Sequence, residues 1–399
     1  MGRIEPLRVA RVVGEGARLV SQKGALMVYR KWVKAPADVR RAELVVIEDS
    51  RGDVLGCGFY DDVGPVALRL IELNGCSFSD AREAVYALIE RSLVLRKRLG
   101  LVGAESAYRL VHSDGDYLPG LIVDVYSDLA VIQLSSIVWD ALRKIIVEAL
   151  VDIVDVKHVY EKSVQRTRLD IGLKPYEKLL YGNHTFAYIR EGEARFYVDA
   201  RIGQKTGFFL DQRLNRIEFG KMAGGVVLDL FSYTGGFGIH ALLGGAEKAI
   251  FVEEDEKAIK ILRRNLELNK VSNKAIVVND NVWRVLRRLQ EKDEAFDSVS
   301  VDPPAFIPHP EAYERGLQAY KKLYSLSARL VSSEGIIVLS SCSAHLPRDR
   351  FRDVVSAAFQ TAKRNYTPIG DIRSMPPDHP VRPSAPHLAY LKALFAIVY

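Results

Sequence analysis

At 399 residues, with 48% hydrophobic side chains, the chain exceeds one ordinary core and carries enough apolar material for two or three domains. Its 56 Lys and Arg against 50 Asp and Glu leave a formal charge of +6, an excess that favours a polyanionic partner without requiring one. Three widely spaced cysteines, Cys57, Cys76 and Cys342, and the lack of any run of ~18 apolar residues argue against a disulfide scaffold, a Cys-based metal site and a membrane-spanning helix.

The opening residues, MGRIEPLRVARVVGEG, are charged and lack the apolar block of a signal peptide, so a cytoplasmic protein is expected. Residues 1–75 hold short alternating runs broken by Gly or charge: ARLV, ALMVYRKWV, ELVVIED, VLGCGFY and VALRLIEL. Period-two patterning with turn residues between the runs predicts a small, strongly bent β-domain. Between Arg3 and Arg41, ten basic residues (Arg3, Arg8, Arg11, Arg18, Lys23, Arg30, Lys31, Lys34, Arg40, Arg41) stand against three acidic ones (Glu5, Glu15, Asp38). Arg30 and Lys31 next to Trp32 combine charge with a stacking face, which suits RNA phosphates and bases; a solvated basic barrel face accounts for them equally well.

Residues 76–200 change character. SFSDAREAVYALIERSLVLRKRLG opens with a Ser/Asp cap signal, keeps Ala84, Leu88 and Leu95 at helical spacing and stops at Gly100. AYRLVHSDGDYLPG, LIVDVYSDLAVIQL, a helical WDALRKIIVEALVDIV and strands near HVYEKS, HTFAYIRE and ARFYVDA follow, which predicts a small α+β domain. Over 201–399, strand and helix alternate as in a doubly wound α/β sheet of Rossmann-like type. The expected strands are VVLDLF (226–231), KAIFVEE (248–254), AIVVND (275–280), DSVSVDPP (297–304) and GIIVLSSCS (335–343). YTPIGDIRS and LKALFAIVY are expected to close the sheet with an antiparallel edge.

Chemistry concentrates at the ends of these strands. In VVLDLFSYTGGFGIHA (226–241) glycines join a buried strand to a helix start, where a ligand can approach the backbone and its N–H groups. Gly236-x-Gly238-x-x-Ala241 fits the dinucleotide fingerprint and brings a dehydrogenase into consideration. Against that, Ser232, Tyr233, Thr234 and Gly235 separate the strand from Gly236, a longer turn than dinucleotide sites use. Asp229 at the strand end also suits a cationic group better than a pyrophosphate. S-adenosylmethionine, with an ammonium, a sulfonium and no phosphate, fits both features.

Glu253 stands 24 positions after Asp229, near the ~20 expected for a ribose-binding carboxylate, although an acidic cluster at a helix start explains Glu253-Glu254-Asp255 as well. Asp280, at the third strand's end, is in register to accept from an adenine amino group, where a lone Asp is ordinarily a turn residue. Asp302-Pro303-Pro304-Ala305-Phe306 follows the fourth strand, and its prolines keep the chain extended so that Asp302 and Phe306 can address a planar substrate. Cys342, in Ser341-Cys342-Ser343 after the fifth strand, reaches the same crevice and reads as a reactive thiol, whereas Cys57 and Cys76 read as structural. A methyl-donor sulfonium, an Asp and a Cys together describe one reaction: thiolate addition to carbon 6 of a pyrimidine, methylation of carbon 5 and release of the thiolate. Cys342 is the expected nucleophile, and Asp302 the group at the ring's nitrogen edge.

These motifs carry a resemblance. The chain resembles the class I S-adenosylmethionine-dependent methyltransferases, and more closely the large-subunit ribosomal RNA cytosine-C5 methyltransferases with an N-terminal PUA domain. The likeness rests on KTGFFLDQRLNR (205–216), DLFSYTGGFG (229–238), DPPAF (302–306), SCS (341–343), DHPV (378–381) and RLVHSDGDYLPGLIVDVY (109–126). It implies a PUA-like RNA-binding β-barrel over 1–75, a small α+β domain over 76–200 and a Rossmann-like methyltransferase domain over 201–399. It further implies that Lys205, Thr206, Gly207, Phe208, Asp211, Gln212 and Arg213 form a lid over S-adenosylmethionine, with Arg213 near its carboxylate. Pro303, Pro304, Phe306, Tyr320 and Lys321 are implied on the RNA side.

Ala305 stands where many relatives carry Lys, and Pro304 where many other RNA cytosine methyltransferases carry a second Cys, so the base for the carbon 5 proton is open between Asp302 and a water. The expected partner is RNA, ribosomal by resemblance, with no metal and no membrane; a homodimer stays open. Guanine N-methylation on the same fold, a dehydrogenase and a non-catalytic RNA-binding factor are the rival readings.

Overall fold

The computed structural model describes residues 6–399, and Arg3 and Glu5 of the basic stretch lie outside them. The chain forms two compact units, the first running to Ala187 with Val198–Phe208 and Pro377–Pro386, the second comprising Tyr188–Tyr197, Phe209–Pro376 and His387–Tyr399.

The first unit carries two sheets. Its six-stranded sheet runs in the order Met27–Tyr29, Val66–Leu73, Val54–Tyr60, Leu44–Glu48, Arg8–Val12, Val33–Lys34. ARLV, expected as one of the alternating runs, instead lies in a helix, Glu15–Lys23, which ends on the left-handed Gly24. Four residues cannot distinguish the two periods; Gly16 and Val20, one helical turn apart, are the buried ones. A five-stranded sheet follows in the order Tyr176–Tyr181, His158–Ser163, Leu129–Leu134, Leu121–Tyr126, Ala107–His112, with helices Ala81–Arg98 and Ile137–Ala149. The first of these helices begins where Asp80 accepts a hydrogen bond from Glu83 N–H while the Glu83 carboxylate accepts from Ser79. Phe59 and Ile71 of the first sheet share one core with Leu88, Val111 and Trp139. DHPV joins this unit: Asp378 accepts from Arg109 N–H, and its carbonyl takes the buried Arg96 guanidinium that also forks onto Asp116. A hairpin, Phe186–Glu191 with Ala194–Asp199, leads to the second unit.

The second unit is a seven-stranded sheet: β1 Val226–Leu230, β2 Lys248–Glu253, β3 Ala275–Asn279, β4 Phe296–Val301, β5 Val331–Ser341, β6 Tyr366–Pro368 and β7 Lys392–Val398. The spatial order is β3-β2-β1-β4-β5-β7-β6. The first five strands run parallel, and β7 is antiparallel between β5 and β6. The expected antiparallel closure is present, with β7 inside the sheet and β6 at its edge. The helices are α1 Arg213–Met222, α2 Gly236–Leu243, α3 Glu256–Leu268, α4 Val282–Glu291, α5 Tyr313–Arg329 and α6 Arg348–Ala362. Central strands buried on both faces explain the near-continuous apolar runs: Leu228, Leu230, Val299, Val301, Ile337 and Leu339 are fully buried, each worth roughly 1.5–3 kcal/mol against exposure. Strand order reverses between β1 and β4, which opens a crevice at their C-terminal ends.

Candidate active site

The turn after β1 is closely packed at that crevice. Phe231 and Tyr233 both hold positive φ (59° and 49°), an arrangement costly for side chains of this size and typical of ligand sites. Added β-carbons on Gly235, Gly236 and Gly238 would meet Leu262, Arg216 and the Phe251 ring at 2.3–2.4 Å, so the turn has no room for side chains there. Arg216 is pinned in turn by both oxygens of Glu191. Burial alone pushes the Glu191 carboxyl up, but Arg216 and then His240 overcome it and hold it at about 2. Gly235 N–H bonds Ser232 O (2.7 Å), Ser232 N–H bonds Val252 O (3.1 Å), and Asn265 of α3 donates to Thr234 O (3.0 Å).

Three carboxylates meet around this turn. Asp229 is buried, accepting from Ser300 Oγ (2.5 Å) and from Gly238 N–H of α2 (2.9 Å). Burial pushes its carboxyl up to about 7; Ser300 and Gly238 oppose the rise, and the charges of Asp302 and Glu253 add to it. Glu253 accepts from Tyr233 N–H (2.8 Å) and from the N–H groups of Glu254 and Asp255 (2.9 Å each), which fixes its carboxylate at the end of β2. Asp302 accepts from Gln212 Nε2 (2.8 Å), and Asn215 of α1 holds Gln212 from behind (2.6 Å). Mutual repulsion among carboxylates around the buried Asp229 favours a cationic ligand. Asp211, in the turn before α1, and Arg213, its first residue, are buried, with Asp211 accepting from Tyr390 Oη (2.7 Å). Asp280 is placed otherwise: its carboxylate accepts from Asn281 N–H and pairs with Arg284 (3.0 Å) and Arg288 (2.7 Å), so it serves the start of α4 in this structure.

Across the crevice the Cys342 thiol lies 3.8 Å from the carbonyl of Pro303, so the end of β5 and the loop after β4 converge. Pro304 is exposed and Pro303 buried. Phe306 stacks on Trp283 (6.2 Å, 28° between planes) and tilts against Tyr320 (4.7 Å), so its ring belongs to an aromatic row beneath the loop. Tyr320 is fully buried: its hydroxyl accepts from Phe306 N–H (3.2 Å) and bonds Ser343 Oγ (2.8 Å), tying the two loops from below and leaving no face for substrate. Lys321 is half-exposed. Ser343 Oγ also receives Ile307 N–H (3.1 Å).

One residue here escaped sequence reasoning. Lys392, the first residue of β7, is 4% exposed and donates to Ser343 O (2.6 Å) and Tyr390 O (2.8 Å). Among the described residues no carboxylate pairs with it. Burial lowers its ammonium to about 8, and the Cys342 thiolate works against that fall. An otherwise uncompensated cation beside a thiol favours the thiolate. Fifty residues separate the pair; only the antiparallel register, Lys392 against Ser341, brings them together.

The other expected site residues lie in the first unit. Thr206 is buried and bonds Asp124 (2.6 Å) and Tyr126 Oη (2.8 Å), and Tyr126 Oη also meets the backbone of Phe208. Gly207 takes φ 132°, and Lys205 is exposed at φ 49°. Arg30 spends its guanidinium on the carbonyls of Gly64 (3.1 Å) and Asp61 (2.7 Å), so it clamps its own domain. Lys31 is exposed and sits 4.6 Å from the Trp32 ring. Arg8, Arg11, Arg18 and Arg41 pair with carboxylates, which balances much of the basic stretch. Two clusters with metal-ligand atoms gather there: Cys57–Glu72–Cys76 and Asp128–His158–His184. In the second, His158 Nδ1 accepts from Asn183 N–H, which leaves the proton on Nε2 and removes that lone pair from coordination.

Comparison with known proteins agrees with this architecture. A family described as Conserved hypothetical protein 95 matches residues 212–349, and a PUA-like domain matches residues 16–72. A candidate ribosomal RNA large subunit methyltransferase of Methanocaldococcus jannaschii is 35% identical over 385 residues, 94% of this chain and 95% of that one. The Ribosomal RNA large subunit methyltransferase I of Alteromonas mediterranea is 33% identical over 358 residues (89% and 90% of the two chains). That of Escherichia coli O139:H28 is 30% identical over 392 residues (94% and 98%). The crystal structure of SMU.776 complexed with SAH has a TM-score of 0.81 at 23% identity, covering 98% of this chain and 100% of that one. The fold is a PUA-like domain followed by a Rossmann-like methyltransferase domain, and the chain belongs to the ribosomal RNA large subunit methyltransferase I family.

Proposed function

We propose that the protein methylates carbon 5 of a cytosine in large-subunit ribosomal RNA, with S-adenosylmethionine as donor and Cys342 as covalent nucleophile. The observation that carries this reading is the approach of the Cys342 thiol to the Pro303 carbonyl, beside Asp302 and one strand from the three-carboxylate crevice. Asp229, Glu253 and the turn Ser232–Gly236 fit a ligand that is cationic at one end and carries a ribose, and Asp211, Gln212 and Arg213 are assigned to its amino acid end. When bound, the donor supplies an electrophilic methyl group.

The chain's own residues do the rest. Lys392 favours the Cys342 thiolate, which adds to carbon 6 and makes carbon 5 nucleophilic. Asp302, oriented by Gln212, holds the ring at its nitrogen edge, and the extended Pro303-Pro304 segment presents carbonyls instead of N–H donors. The proton on carbon 5 passes to Asp302 or a water, and the thiolate departs. The test is mass spectrometry of nucleosides from large-subunit RNA reacted with the purified protein and S-adenosylmethionine. 5-Methylcytidine is expected; methylguanosine instead would move the activity to the guanine-modifying reading.

A further inference from the structure

Cys57 and Cys76, 19 positions apart and read from sequence as structural, come together in the first unit. Their sulfurs and a Glu72 carboxylate oxygen lie within 4.8 Å of one another. Cys57 is fully buried in strand Val54–Tyr60 and stands opposite Glu72 in the pairing with Val66–Leu73. Its thiol points at Glu72 Oε2 (3.9 Å). Cys76 is partly exposed in the turn that follows, and that turn is fixed because Ser77 N–H and Oγ both donate to Glu72 (2.7 and 2.9 Å).

We propose that Cys57 and Cys76 form an oxidisable dithiol site whose disulfide ties the PUA-like sheet to the segment leading into helix Ala81–Arg98. The oxidant class is a low-molecular-weight disulfide. The exposed Cys76 thiolate attacks it, one sulfur leaves as a thiol, and a mixed disulfide forms on Cys76. The buried Cys57, its proton directed to Glu72, then attacks the Cys76 sulfur and expels the second thiol. Two protein thiols and one small disulfide become one protein disulfide and two small thiols, so atoms and electrons balance. A zinc site is less well served: structural zinc takes four protein ligands, and this cluster offers three, one of them a carboxylate already accepting three hydrogen bonds.

The full-length protein, incubated with oxidised glutathione and then alkylated, tests this. Wild type is expected to lose the alkylatable thiols of both Cys57 and Cys76, read by peptide mapping that scores Cys342 separately, to yield a Cys57–Cys76 linked peptide and to melt higher by about 5 °C. Cys57→Ser should stop at a persistent glutathione adduct on Cys76. Cys76→Ser, a milder change near the surface, should leave Cys57 unoxidised and abolish the melting shift. Cys57 and Cys76 both still alkylatable after oxidation, or a glutathione adduct that persists on wild-type Cys76, overturns the proposal. So does a stoichiometric metal in purified wild type that Cys76→Ser releases.

Discussion

Asp229→Asn separates the stability cost of charge in the strand-end crevice from its proposed use. Burial raises the Asp229 carboxyl from 3.8 to about 7. A folded value above the ordinary one means that the stability tied to this group is fully present below about pH 4 and is lost as pH rises through about 7. At ~1.4 kcal/mol per unit, the rise from 3.8 to about 7 corresponds to roughly 4 kcal/mol at full ionisation, more than half of which accrues between pH 5 and 8. Asn cannot ionise and keeps an acceptor for Gly238 N–H; the rearranged contact with Ser300 costs about 1 kcal/mol at every pH. Thermal melts of ligand-free variant and wild type at fixed ionic strength are therefore expected to diverge with pH. The variant gains about 5 °C or more relative to wild type between pH 5 and 8. Calorimetric titration at pH 8 should show S-adenosylmethionine binding weakened at least roughly tenfold, because the variant lacks the charge that compensates the ligand's cations. A melting difference that stays constant from pH 5 to 8 would refute the reasoning, since Asp229 would then not be titrating in the crevice.

The Cys342 environment gives further tests. Lys392→Met is expected to slow iodoacetamide alkylation of Cys342 several-fold at pH 7, with Lys392→Arg restoring most of the rate. Because the Lys392 ammonium is lowered to about 8, wild type and Lys392→Met should converge above that pH, as the charge that distinguishes them is lost. Gln212→Ala releases Asp302 and is expected to lower kcat by roughly tenfold or more, with KM for S-adenosylmethionine changed less; an unchanged kcat would remove Gln212 from the positioning role. Gly238→Ala forces a β-carbon to 2.3 Å from the Phe251 ring and 3.1 Å from Asp229 Oδ2, and should destabilise by roughly 1–3 kcal/mol, read as a lowered Tm.

The second unit was legible because a doubly wound sheet writes itself plainly: VVLDL, SVSV and IIVL are buried on both faces, and VVLDL and IIVL read as nearly continuous apolar runs. Asp229, Glu253, Asp302 and Cys342 are singled out in the sequence by their positions at strand ends, and the structure places them at the C-terminal ends of β1, β2, β4 and β5. What sequence could not show were facts of pairing register. Lys392 looks like an ordinary charged residue at the start of an apolar strand until β7 is laid antiparallel to β5. Cys57 and Cys76 look unrelated until a hairpin folds one strand back on the other. ARLV is too short to distinguish helix from strand. Tyr320, expected toward the substrate, is buried because α5 must pack its aromatic face under the DPPAF loop. Asp280 shows the opposite limit: its position at the strand end is legible in the sequence, but Arg284 and Arg288, one and two turns on, take its carboxylate in the fold.

Covalent trapping examines the central claim most directly. Large-subunit RNA fragments carrying 5-fluorocytidine, incubated with the protein and S-adenosylmethionine, cannot lose the substituent at carbon 5 after methylation. A denaturation-resistant protein–RNA complex joined through Cys342, identified in the digested peptide and absent in Cys342→Ala, is the predicted result. A Cys342→Ala protein that still forms 5-methylcytidine at the wild-type rate, or a complex joined through any other residue, would contradict it.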